Sequence, residues 1–390
     1  MATAFAVSMG YGVAIPLLPE IIERFSDGSR GLPAAWYAGL LPGAYTAALF
    51  AFAPALGALS DRLGRRPMML GGMAAYAPAL ALFAAAPTLA AAIAAQVLAG
   101  VAAAAVLPAA LTATGESGER DQAFLRLAWV SAASLLGFLA GPALGGWLGD
   151  RQESGIGLPF LVAAGITALA ATGAAVLVPE TARCRQPDPG KRLGQPRRSH
   201  IKLAMALAVT VLVTYGLGSF EVGFSLFGEA RLGLDPSRLG HLFALCMAVM
   251  IPVQLAIFPR LLRTFRPTRV SAGALAALGI GLAMLPVGEN VMLAAAAIVL
   301  IAAGAGVLLP ALSYWVSLDA AHAPGAALGK QVAAFSLGQA LGSVAAGVLF
   351  EVMPSAPFWV AAALALVGAL AVASPGRRTA LGLSKPPPLP

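Results

Sequence analysis

The stretch Gly57-Ala58-Leu59-Ser60-Asp61-Arg62-Leu63-Gly64-Arg65-Arg66-Pro67 sets a knot of charge between two long apolar runs. From Ala34 to Leu59 the chain carries no charged side chain, and it is uncharged again from Met68 as far as Glu116. A charged island between two such runs reads as a short loop at a membrane surface. The rest of the chain has the same character. Of its 390 residues 59% are hydrophobic and only 11% are charged. One soluble domain cannot bury that much apolar side chain. With about 20 residues per spanning helix, the chain accommodates about twelve spans joined by short loops. Backbone groups inside a bilayer must be satisfied within the protein, and unbroken runs rich in Ala and Leu satisfy them as helices rather than as a closed barrel.

The wording of the island goes beyond its charge. Gly57 and Gly64 permit close backbone approach and a tight turn, Asp61 supplies an acceptor, and Arg62, Arg65 and Arg66 hold the loop on the cytoplasmic side. The pattern resembles the loop between helices 2 and 3 of the major facilitator superfamily of transporters, written G-x-x-x-D-R-x-G-R-R, at every defined position. The resemblance implies an all-α membrane protein of twelve transmembrane helices in two pseudo-symmetric six-helix bundles.

The formal charge of +8 raises the question of nucleic acid, and its distribution answers it. Twenty of the 25 Lys and Arg fall in segments read as cytoplasmic, against five (Arg24, Arg30, Arg151, Arg231 and Arg238) in outer loops. That asymmetry is the positive-inside rule and places both termini in the cytoplasm. No nucleic-acid partner is expected. Cys184 and Cys246 lie in a loop and in an apolar span, which argues against a disulfide framework. Span 1 is read as Met1 to Glu20, not as a cleaved leader. Span 2 is read as residues 35 to 58 and span 7 as 203 to 227. The expected organisation is an N-terminal bundle over 1–178, a proline-rich cytoplasmic linker over 179–200, a C-terminal bundle over 201–374 and a tail over 375–390.

An internal repeat supports two halves. Shifting the chain by 201 residues places Gly137, Gly141 and Gly146 on Gly338, Gly342 and Gly347, and Arg62 and Arg65 on Arg263 and Arg266. Such parallel repeats characterise the superfamily fold. In span 5, Gly137, Gly141 and Gly145 recur every four residues and form a smooth ridge, with Pro142 removing one backbone donor and Gly146 following. Small residues that merely pack helices explain the ridge but not the Gly-Pro with Gly-Gly after it. The run resembles G-x-x-x-G-P-x-x-G-G, the motif of the superfamily's exporters that exchange substrate for protons. Gly118-Glu119-Arg120 and Pro179-Glu180-Thr181 are similar to further family features. One position departs: where the drug/proton antiporter branch carries an Arg in span 4, four residues before Gly100, this chain has Gln96.

Glu221 is the acidic side chain that stands well inside a predicted span. Ionised and unpaired there it costs several kcal/mol, so it is expected to be neutral, to face water or to carry a function. Three roles remain open for it: proton carrier, outer gate contact, or inert lining of a cavity. The offset of 201 pairs it with Glu20. By resemblance, Gly57, Asp61, Arg62, Gly64, Arg65 and Arg66, with Glu116 and Asp319 as acidic partners, form a breakable lock at the cytoplasmic face. Asp61 there accepts from the amides that begin span 11, near Gly329 to Gln331. Candidate cavity residues are Tyr11, Tyr45, Gln96, Trp129, Tyr215, Gln254, Tyr314 and Gln339, a set of aromatics and amides that suits a lipophilic ligand.

No His or Cys cluster marks a metal site. The chain has no G-x-x-x-x-G-K-[ST] loop, so neither cofactor nor direct use of ATP is expected. The function that follows is not enzymatic. It is export of a small amphipathic or lipophilic compound, of the multidrug type, in exchange for protons across a bacterial inner membrane, by a monomer. A dedicated exporter of one metabolite such as a siderophore, and a non-transporting sensor or scaffold with the same fold, are the alternatives.

Overall fold

The computed structural model describes residues 1–26, 33–116, 120–149, 157–177, 197–265, 267–288, 290–319 and 324–373. Among them are twelve helical segments long and apolar enough to cross a membrane. The chain begins with α1 (Ala2–Gly12), a 3-10 turn (Ile15–Leu17) and α2 (Leu18–Ser26), which together make the first span. The first half continues with α3 (Ala34–Leu63), α4 (Arg65–Ala84), α5 (Leu89–Glu116), α6 (Arg120–Gly149) and α7 (Gly157–Leu177). The second half holds α8 (Arg197–Leu232) and α9 (Pro236–Pro252), then a π-helical turn (Val253–Ile257) leading into α10 (Phe258–Thr264). It ends with α11 (Pro267–Met284), α12 (Val291–Asp319), α13 (Pro324–Val352) and α14 (Ala356–Ala373). Large apolar side chains such as Leu169, Val176 and Leu370 stand exposed on the outside, as lipid-facing residues do.

Three expected boundaries move. The first span runs on to Phe25 instead of stopping at Glu20. The charged stretch is mostly helix: α3 continues through Asp61 and Arg62 to Leu63, and only Gly64 breaks it, at φ 105°. Gly57 is therefore a helical residue against Pro108, not a turn glycine. The seventh span reaches Leu232, eleven positions past Glu221 and about 16 Å of helical rise. Glu221 is thus deeper than the outer third. In each case the helix persists because its backbone bonds are internal and indifferent to the charge of the side chains. The linker over 179–200 and the tail over 375–390 lie outside the described residues, apart from the start of α8.

The halves repeat each other in contact as well as in sequence. In the first half α1 packs on α6, α3 on α5, α4 on both α5 and α7; in the second α8 packs on α13, α9 on α12, α11 on both α12 and α14. Between halves α3 meets α13 and α6 meets α9. Both crossings are glycine to glycine. A Cβ on Gly39 would lie 3.2 Å from the Gly347 Cα, and one on Gly240 3.2 Å from the Gly146 Cα. Each of these positions in the first half differs by 201 from its counterpart in the second. One pairing needs correction. The α6 ridge packs on α1 through Phe5, Met9 and Gly12, whereas Gly338 and Gly342 pack α13 on α8 through Val211, Tyr215 and Ser219. Met9 thus matches Tyr215, an offset of 206, so Glu221 corresponds to Ile15 and not to Glu20.

Candidate functional site

Three side chains from three helices converge between the halves. Tyr11 on α1 donates from its hydroxyl to Glu221 Oε2 at 3.0 Å. Gln339 on α13 donates from Nε2 to the same oxygen at 2.5 Å and to the Tyr11 hydroxyl at 3.2 Å. Glu221 on α8 is half-buried, while Tyr11 and Gln339 are buried. The sequences of α8 and α13 make this possible. Gly218, one turn before Glu221, lets the Gln339 carbonyl come to 2.5 Å of where its Cβ would stand, so the two backbones are close enough for short side-chain bonds.

Among the described residues no Lys, Arg or His pairs with Glu221. The carboxylate is held by neutral donors alone. An ion without a counter-ion in a bilayer-spanning helix is costly, and the two donors offset only part of that. Protonation or an incoming cation would remove the remainder.

Aromatic rings wall the triad. Tyr45 on α3 lies 4.9 Å from the Tyr11 ring, centroid to centroid, and Phe138 on α6 lies 5.8 Å from it, edge-on. Tyr76 on α4, which sequence reasoning passed over, interacts with the Tyr45 hydroxyl and donates to the Val7 carbonyl at 2.9 Å. Its only signal was a tyrosine in an Ala- and Gly-rich span. Beyond Glu221, Phe220, Phe224 and Phe243 form a second cluster. Cys246 on α9 is buried on that side, electrostatically within reach of Glu221.

Of the eight expected cavity residues, the structure gathers Tyr11, Tyr45 and Gln339. Tyr215 is half-buried on α8 with its hydroxyl engaged to Ser219, and Gln96 is buried on α5. Gln254 sits half-buried in the π-helical turn. The described contacts do not bring Trp129 to the triad: its side chain is 55% exposed in the first half of α6. An indole at the end of a span finds both apolar and polar surroundings at the bilayer edge, which explains that placement. The side chain of Tyr314 lies outside the described residues.

At the end of the bundle that carries Gly64, Arg65 is buried and forms an ion pair with Asp61 at 2.5 Å and a hydrogen bond to Ser60 Oγ at 2.9 Å. Arg66 donates to the Ala175 carbonyl at 2.5 Å, tying α4 to the end of α7. Arg62 extends from the last turn of α3. Among the described residues Asp61 pairs with Arg65 within its own segment, and Gln331, two turns into α13, donates to Ser313. The local partner costs less chain ordering than one on another helix. The side chains of Glu116 and Asp319 lie outside the described residues, as do Gly118, Glu119 and Pro179-Glu180-Thr181.

The opposite end is closed. Besides the two glycine crossings, Ser225 Oγ donates to the Ile15 carbonyl at 2.8 Å, and the Ala35 amide donates to Glu351 at 3.1 Å. The α6 motif lies along this closure. A Cβ on Gly141 would stand 2.6 Å from the Met9 carbonyl, the Gly145 position abuts the Val13 carbonyl, and Gly240 approaches the Pro142 carbonyl.

Comparison with known proteins agrees with this architecture. The family model described as Major Facilitator Superfamily matches residues 1–330. Multidrug resistance protein 2 of Bacillus subtilis (strain 168) is 23% identical over 380 residues, which cover 94% of this chain and 92% of the relative. Multidrug resistance protein 1 of the same organism is 24% identical, over 94% and 93%. Quinolone resistance protein NorA of Staphylococcus aureus (strain MRSA252) is 23% identical, over 94% and 93%. Among solved structures, that of the human organic anion transporter MFSD10 (TETRAN) superposes with a TM-score of 0.74 at 19% identity, covering 95% of this chain and 97% of that one. That likeness carries the fold alone.

Proposed function

The chain belongs to the major facilitator superfamily of transporters, and from that premise we propose that it exports small amphipathic compounds in exchange for protons. The observation that carries this reading is Glu221, hydrogen-bonded by Tyr11 across the two halves and lacking a basic partner among the described residues. Such a carboxylate holds either a proton or a cation, and mutual exclusion at one group is the simplest physical basis of exchange. The glycine-proline run of α6 and the names of the bacterial relatives support the direction and the substrate type.

On the topology read from the arginine distribution, Gly64 faces the cytoplasm of a bacterial inner membrane and the closed end faces outward. The conformation is then the one that loads from the cytoplasm. Alternating access would open the Gly39–Gly347 and Gly146–Gly240 crossings while the Asp61 end closes. Gln96 favours a narrower second reading, export of a single metabolite, because it replaces a basic residue of the drug-exporting pattern.

Inside-out vesicles with an imposed proton gradient test the proposal. Lumen pH is read while lipophilic cations, neutral drugs and iron chelates are added in turn. Proton release on addition of one class establishes exchange and names the substrate type. Silence across the panel with inserted, folded protein rejects multidrug exchange.

A further inference from the structure

The hydrogen bonds of the triad leave a specific remainder. Tyr11 has one donor, and it goes to Glu221 Oε2. Gln339 has an amide NH2, and that nitrogen faces Glu221 Oε2 and the Tyr11 oxygen. A carboxylate accepts and does not donate, so it forces the NH2 side of Gln339 towards itself. The amide oxygen is then turned away. Gln339 Oε1 is buried and accepts no hydrogen bond, in a residue only 3% exposed. Glu221 Oε1 accepts none among the described residues either, but it belongs to a half-buried side chain and is not sealed from solvent. A buried acceptor without a partner, such as Gln339 Oε1, is rare and costly to leave unmade. What remains at the site is therefore acceptor capacity, with both local donors already engaged.

We propose that Gln339 Oε1 and Glu221 together select a substrate that is an N–H-bearing cation, a protonated amine, amidine or guanidine, over a fully substituted ammonium or phosphonium of the same size. This inference rests on the assignment of Glu221 as the cation-binding group and adds a selectivity to it. The positive charge answers the carboxylate, and the N–H answers the orphaned amide oxygen. The Tyr11 and Tyr45 rings attract either kind of cation and do not discriminate. A quaternary ion desolvates the site but leaves Gln339 Oε1 unpaired. Rejection of an analogue that lacks a hydrogen-bonding group is the stronger form of specificity, because the unpaired protein group is the penalty. Other groups facing Glu221 do not fill the role: Cys246 is a weak donor on α9 and Tyr11 is already bonded.

The test uses purified full-length protein in lipid nanodiscs and two probes with one aromatic body, an aryl dimethylamine that is protonated at the working pH and its N-methylated quaternary salt. Binding of each is read by calorimetry. Wild type is expected to bind the amine about tenfold more tightly, the worth of one charge-assisted hydrogen bond. Gln339→Met, which keeps the length but lacks the oxygen, is expected to bring the two affinities together, and Glu221→Gln to weaken both. Equal wild-type affinities overturn the inference without any variant, so poor folding of Gln339→Met does not shelter it. A preference that survives Gln339→Met also overturns it. If Glu221→Gln leaves both affinities unchanged, or wild type binds neither probe, the underlying reading of Glu221 fails and the inference fails with it.

Discussion

The carboxylate of Glu351, at the end of α13, caps the first turn of α3 by accepting from the Ala35 amide at 3.1 Å, across 316 positions of chain. Helix N-termini carry amides without internal partners and a partial positive charge. One half of the molecule thus satisfies a helix end belonging to the other, at the closed face. The contact is partly exposed, so its worth is about 1 kcal/mol. Glu351→Ala should loosen that face by a severalfold shift in the conformational equilibrium. A cysteine placed at the buried Ala38 reports it: maleimide labelling from the closed side should accelerate in the variant. Unchanged labelling would remove Glu351 from the closure.

Glycine substitutions should separate packing from mere membership of a helix. At Gly141 a Cβ would stand 2.6 Å from the Met9 carbonyl and 2.9 Å from the Gly12 Cα, and both are backbone atoms with nowhere to go. Gly141→Ala is expected to cost about 2 kcal/mol. At Gly71 nothing lies within 4 Å, and Gly71→Ala should be neutral or stabilise by up to about 1 kcal/mol. Thermal unfolding in detergent ranks the two. Equal melting temperatures would contradict the packing of α6 on α1.

The number and order of the spans were legible because a run of about 20 apolar residues has few other uses. Their ends were not. Hydropathy falls at Glu20 and Asp61, but the helices continue to Ser26 and Leu63, since long charged side chains at a span end reach the interface while the backbone stays bonded. Glu221 and Gln339 were legible singly, as polar residues where polarity is expensive. Their meeting with Tyr11 was not, because it joins positions 210 and 328 apart. Trp129 misled because an indole suits a ligand cavity and a bilayer edge equally. The repeat showed the two-fold relation in α6 and α13, and concealed that α1 and α8 follow a different offset.

Asp61→Asn should impair transport while leaving expression intact. Its carboxylate neutralises the buried Arg65 guanidinium, which also donates to the Ser60 hydroxyl. An amide keeps the size but gives up the charge, leaving a cation inadequately compensated, which destabilises this end in every conformation that buries Arg65. Substrate efflux from cells, normalised to protein in the membrane, measures the effect. Full activity would show that the Asp61–Arg65 pair has no part in the cycle.

Glu221→Gln is the sharpest test of coupling. The amide oxygen can still accept from Tyr11 and from Gln339 Nε2, so the geometry between the halves is retained and folding should be little changed. What disappears is the group that exchanges a proton for a cation. Uptake into inside-out vesicles driven by a proton gradient should fall to background and lose its dependence on pH. Counterflow, in which labelled substrate exchanges for unlabelled substrate without any gradient, should persist at reduced affinity, because it requires the conformational change but no proton. Loss of both activities would assign Glu221 to substrate binding alone. Gradient-driven uptake with its pH dependence intact would exclude it as the carrier and direct attention to the acidic residues at the span ends, Glu20, Asp319 and Glu351.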